Sequence, residues 1–279
     1  MLNRMSGAAV RAGLVVLLIA IPSLLVPGVS TDTTQVVAMI ALFAAALIFI
    51  EYVSSYPSLI EFRDAPPFNR VRFFCLFITV FLLSVMMRGQ VDPSGMTLVT
   101  EVIGAVIGNA MDFPYSPVRL VVLGMADPSD PDSTALIRTA AGISYLTSLL
   151  SLAIFVIALR VHGWPSKTGA FNVWINLPTF DPTAGGDVVS RLNRDARINI
   201  ALGFLLPFLI PAVAKAAGSL FGPLIADAPQ TLVWTIAAWA FLPASLFMRG
   251  IAMGRIATMI EDKRKRTSLD GTEGGLLVT

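Results

Sequence analysis

The sequence predicts an all-α polytopic membrane protein, with six transmembrane helices and short interfacial or re-entrant helices at about 97–125. Three observations carry this expectation. Of 279 residues, 55% are hydrophobic and 14% are charged, against roughly 25% charged in a soluble domain, so polar groups are too few to coat a globule. Six segments approach the run of about 20 apolar residues that crosses a bilayer. The Lys and Arg residues crowd onto alternate connections.

The first span is expected at about 9–29, AVRAGLVVLLIAIPSLLVPGV. Arg4 and Arg11 precede its apolar core, as in a signal peptide. No small-x-small cleavage site follows, so the segment reads as an uncleaved helix. A four-residue turn, STDT (30–33), leads into the second span at about 34–53. The remaining spans fall at about 72–88, 135–159, 198–218 and 230–249. Helix-packing signals are Gly104-x-x-x-Gly108, Gly250-x-x-x-Gly254 and the pair Ala214 and Gly218, small residues one turn apart.

With the N-terminus inside, sixteen of the 20 Lys and Arg residues fall on inner segments, and only Arg88, Arg119, Arg138 and Lys215 fall outside. This satisfies the positive-inside rule. The expected location is a bacterial inner (plasma) membrane, with both termini and the loops 51–71 and 160–197 cytoplasmic. The bacterial assignment follows from the excess of Arg over Lys, sixteen to four. Residues 1–260 form the membrane domain. The basic tail 261–279 begins as a continuation of the last helix, and SLDGTEGGLLVT after Thr267 has no periodicity and is expected to be flexible.

The outer segment 88–134 contains two half-length apolar runs, TLVTEVIGAVIGNA (97–110) and VRLVVLGM (118–125). Pro114 and Pro117 separate them, since neither can continue a helix. The expectation is two short helices lying flat at the outer interface, where water solvates Glu101 and Asp112. The alternative is a re-entrant hairpin, in which Glu101, Asp112 and Arg119 would line a pore. Asp127, Asp130 and Asp132 follow. Two prolines stiffen that loop, so Asp132 or Ser133 reads better as the N-cap of the fourth span than as a calcium ligand.

Composition excludes several chemistries. Cys75 and His162 are single, which rules out a disulfide framework and any site needing two imidazoles. A net charge of +2 leaves no nucleic-acid footprint. The middles of the spans hold no ionisable residue, which argues against ion-coupled transport. No cofactor is expected.

Two inner islands carry what remains. EYVSSYPSLIEFRDAPPFNRVR (51–72) joins aromatic rings, prolines and three arginines. The 160–197 loop holds Trp164, Phe171, Trp174 and Phe180, and its FNVWI alternates like a short strand. Aromatic residues and Arg are the types enriched in binding hot spots. Arg63, Phe68, Arg70, Trp164, Trp174 and Phe180 are therefore the candidate partner-docking residues. Arg191, Arg194 and Arg197 lie on an expected helix after Asp187. They either grip a phosphate or lipid headgroup or form local pairs on a solvated face. The leading expectation is a non-enzymatic scaffold, accessory or assembly subunit, whose partners are the bilayer and another membrane or cytoplasmic protein. A small-solute transporter or channel using 97–125 is the alternative, and a lipid-handling enzyme is the second.

Overall fold

The protein is an all-helical, multi-pass membrane protein. Its computed structural model describes residues 2–63, 66–127, 129–165, 173–181, 183, 185–221 and 228–275. In chain order the helices are α1 (Leu2–Leu25), α2 (Thr31–Val53), α3 (Pro66–Gly89), α4 (Gly95–Met111), α5 (Pro117–Met125), α6 (Pro131–His162), α7 (Val173–Asn176), α8 (Val188–Phe221) and α9 (Pro229–Gly275). Six of them, α1, α2, α3, α6, α8 and α9, are long and apolar enough to cross a bilayer.

These helices outrun the apolar stretches that identify them, because polar residues at their ends continue the helix. α6 has 32 residues and α9 has 47, or about 48 and 70 Å at 1.5 Å per residue, against a hydrocarbon core of about 30 Å. α9 continues helically to Gly275 where a flexible tail is expected, and residues 276–279 lie outside the described residues.

Local chemistry sets the boundaries. Gly28 at φ 79° turns the chain after α1, and Ser30 caps α2 by accepting from the Thr33 N–H at 3.1 Å. Ser94 and Thr97 form a reciprocal capping box on α4. The N-cap of α6 is Asp130 rather than Asp132 or Ser133, since Pro131 occupies the first helical position, where its missing N–H costs nothing. The described part of FNVWI is helical: Val173–Asn176 form the single helical turn α7, and Phe171 and Asn172 lie outside the described residues.

Cross-chain contacts sort the helix ends into two groups. The Arg11 guanidinium lies over the Tyr52 ring, and Glu61 pairs with Arg249. Asp187 pairs with Arg264. The start of α1, the end of α2 and α9 from its middle onward are thus together at what we call the island end. Gln230 donates to Ser23 at the opposite, hairpin end, where α4 and α5 also sit. One core fills the body and the hairpin end, with Leu18, Leu83, Val121, Ile137, Ala141 and Ile236 among its buried residues. A second core fills the island end. α2 packs on α1 alone, and Met39, Leu42 and Phe43 stand exposed on it.

Small residues let backbones meet. A Cβ on Gly104 would lie 2.7 Å from Thr139 and Ile143, and one on Gly108 2.9 Å from the Arg138 carbonyl oxygen. Both glycines therefore meet the same turn and a half of α6. Helices running side by side would advance together along their axes, so α4 crosses α6. Gly250 packs as tightly on Ala196 and Ile200 of α8, while Gly254 makes only ordinary contact. Pro207 and Pro211 lie inside α8. Pro211 has no N–H to give the Pro207 carbonyl four residues back. The indole N–H of Trp239 on α9 donates to that carbonyl instead, at 3.1 Å.

Candidate functional site

The island end is a cap built from the 54–63 loop, α7, the ends of α3, α6 and α8, and the middle of α9. The loop is organised by Glu51, in the last turn of α2 and only 7% exposed. Its carboxylate accepts from the backbone N–H groups of Ser58, Leu59 and Ile60, and from the Ser58 hydroxyl at 2.7 Å. Three convergent amides are a nest for an anion, and here a side chain of the same chain fills it. Arg63 donates to the carbonyls of Glu51 and Ser54 and closes the turn.

Phe62 sits at φ 53° with its ring fully buried. A non-glycine residue adopts that conformation only where its surroundings hold it. Its N–H donates to the Asn176 carbonyl at 2.6 Å, and Asn69 Nδ2 donates to the Glu61 and Phe62 carbonyls. The ring lies 4.3 Å from Phe68 and 6.1 Å from Trp164, centroid to centroid, and Phe68 meets Phe155 edge-on at 5.7 Å.

Beside this core, Glu61 accepts from Arg249 Nε at 2.6 Å, Arg249 Nη2 at 2.8 Å and the Thr179 hydroxyl at 2.6 Å. The bidentate fork is the strong form of this pair. Burial pushes the Glu61 carboxyl up, but the Arg249 and Thr179 hydrogen bonds and the charges of Arg249 and Arg72 outweigh it and hold its pKa below the ordinary value.

The two islands therefore come together, but not as a surface of exposed rings. Phe68 is 2% exposed, Trp164 3% and Phe180 5%, and all three belong to the inner core of the cap. Arg63 braces the loop. The side chain of Trp174 lies outside the described residues. Of the six docking candidates, Arg70 is the one the structure places in the open.

The headgroup candidates are spread out rather than clustered. Arg191 donates to the Asp181 carbonyl and lies over the Phe180 ring. Arg194 pairs with Asp195 at 3.5 Å on an exposed face, and Arg197 donates to the Asn193 carbonyl one turn back. At the hairpin end, Asp112 is not solvated as expected for an interfacial residue. Its carboxylate is 4% exposed and pairs with Arg119 at 2.8 Å and Arg138 at 2.7 Å. Arg138 is thus a partner of a buried carboxylate, with its own side chain 28% exposed. Glu101 stands on the exposed face of α4 with Val102 and Val106. Of the pore candidates, Asp112 and Arg119 are bound to each other, and Glu101 is remote from them on its helix.

Sequence reasoning missed a cavity of about 860 Å³ between the start of α1, the end of α2, the loop and the start of α3. Arg11, Arg70, Arg72 and Tyr52 are among its polar walls, and Val10, Leu14, Ile48 and Phe74 among its apolar ones. The available signal was charge spacing: Arg70 and Arg72 directly precede the third span, and Arg11 lies inside the first. Among the described residues, no three of His, Cys, Asp or Glu converge as metal ligands would. No family model, curated protein or solved structure matches this chain.

Proposed function

We propose that the protein is a non-enzymatic scaffold or accessory subunit of a bacterial plasma membrane, with both termini in the cytoplasm and a protein partner seated on the island end. The extension of α9 carries this reading. Its 47 residues exceed what the bilayer needs by more than half. The excess is joined to the cap by Arg264–Asp187, Lys265–Glu261 supports the helix one turn apart, and Glu261 to Arg266 stay exposed. A helix that runs on beyond the bilayer with charges of both signs is an ordered docking element, so less freedom is lost when a partner binds than with a coil.

Photo-crosslinking side chains at Tyr56 and Arg194, both exposed at the island end, are expected to capture one stoichiometric partner. The same probe at Tyr115, 88% exposed at the hairpin end, is expected to capture none. Equal capture at both ends, or none at the island end, rejects the reading.

Orientation is tested separately. With Cys75 replaced by Ser, single cysteines at Ser30 and Ser129 are expected to react with an impermeant maleimide in intact cells. Cysteines at Ser55 and Thr183 are expected to react only after lysis. All four positions are exposed, so labelling reports sidedness. Reaction at Ser55 or Thr183 without lysis reverses the topology.

A further inference from the structure

We propose that the cavity between α1, α2 and the start of α3 binds an acidic phospholipid, its phosphate held by Arg70 and Arg72 and an acyl chain lying along Leu14, Ile48 and Phe74. Three observations support this, and none depends on which end of the bundle faces the cytoplasm.

Charge in the cavity is unbalanced. Arg11, Arg70 and Arg72 line it against one carboxylate, Glu61, which is already held by both arms of Arg249. Arg11 gives one donor to the Gly7 carbonyl and stacks on Tyr52. Arg72 is more telling. Its guanidinium lies over the rings of Phe68 and Phe241, and its Nε is buried with no hydrogen-bond partner. A buried donor left unmade is costly, and a planar guanidinium matches a phosphate oxygen pair.

The cavity is also amphipathic. Its wall away from the arginines is apolar, and Val10 and Phe74 on that wall are 63% and 56% exposed. α1 and α3 are bilayer-crossing helices, so this exposed side opens toward lipid. An anion arriving from that side carries hydrocarbon with it. A free phosphate would satisfy the arginines and leave the apolar wall unfilled.

The depth fits as well. The cavity lies where α2 ends and α3 begins, the level at which phospholipid headgroups meet transmembrane helices. Basic pockets between spans at that level are a known physical solution for holding acidic headgroups.

The test uses full-length protein, stripped of lipid in a neutral detergent. Solubilised phosphatidylglycerol, phosphatidylcholine or inorganic phosphate is added, and the thermal midpoint and lipid adducts in native mass spectrometry are read. Phosphatidylglycerol is expected to raise the midpoint and leave one retained adduct, while phosphatidylcholine and inorganic phosphate do neither. Arg70→Gln, at an exposed position that should still fold, is expected to weaken phosphatidylglycerol binding at least tenfold. Arg197→Gln, at a residue that does not line the cavity, should leave it unchanged. Equal retention of phosphatidylcholine, stabilisation by inorganic phosphate alone, or an adduct indifferent to Arg70→Gln overturns the proposal.

Discussion

Replacing Arg249 by Met is expected to destabilise the folded protein by about 3 kcal/mol, because it leaves the Glu61 carboxylate buried without its fork. The Glu61 side chain is 13% exposed and that of Arg249 26%, so water cannot fully take the place of the lost partner. Glu61 also joins three segments through one group: the 54–63 loop, Thr179 after α7, and α9. The double variant Glu61→Gln with Arg249→Met should recover most of the loss, since removing both charges also removes the desolvation penalty. Thermal unfolding in detergent reads both effects. The pair also fixes a pH dependence. The folded carboxyl titrates below its ordinary value, so its stabilising contribution is fully present above the ordinary glutamate range. That contribution is lost as pH falls through that range to the folded pKa. The acid-side loss should flatten in Arg249→Met. An Arg249→Met midpoint within about 1 °C of wild type would show that the pair does not hold the cap.

Gly142→Val is the second substitution expected to have a large effect, again about 3 kcal/mol. A Cβ at Gly142 would stand 2.6 Å from the Gly108 Cα and 2.9 Å from its backbone nitrogen, where carbon atoms normally sit at about 3.5–4.0 Å. Side chains can rotate away from such a clash, but these are backbone atoms. α4 must therefore lift off α6, which pulls apart the Asp112–Arg138 ion pair that follows it. The buried Asp112 carboxylate would then lose one of its two arginines in addition to the packing lost. Gly13→Ala is the matched control, because nothing lies within 4 Å of a Cβ there, and its effect should stay within about 1 kcal/mol. If both variants keep the wild-type midpoint and elute as single species, the α4–α6 crossing is not close-packed.

Much of the architecture is legible in the sequence because membrane spans are set by length and apolarity alone. The break between α4 and α5 is equally visible, since Pro114 and Pro117 act locally. The two islands stand out in the sequence, but the role of their rings does not. The residue types that make a binding hot spot also make a core. Phe68, Trp164 and Phe180 differ from exposed rings only in what surrounds them, and those neighbours come from α6, α8 and α9. Glu61 and Arg249 lie 188 positions apart, so no periodicity could pair them. From the sequence Asp112 is expected to be solvated, and pairing it with Arg138 requires knowing that α4 crosses α6 at that turn. FNVWI alternates over too few residues to decide its own state. The tertiary demand, Asn176 giving its carbonyl to Phe62, falls on a helical turn.

The bond from Trp239 to the Pro207 carbonyl gives α8 and α9 a detent. Sliding one helix along the other by a single turn, about 5.4 Å, would strand an indole donor and a carbonyl in hydrocarbon, where each costs several kcal/mol. The prolines that weaken α8 as a rod thus index it against its neighbour. Axial travel between these two helices is blocked, while α2, which among the described helices packs on α1 alone, is fixed at its island end by Glu51 gathering the loop amides. The stator of this bundle is the α8–α9 pair, and α2, a wall of the arginine-lined cavity, is held by α1 and by that one loop.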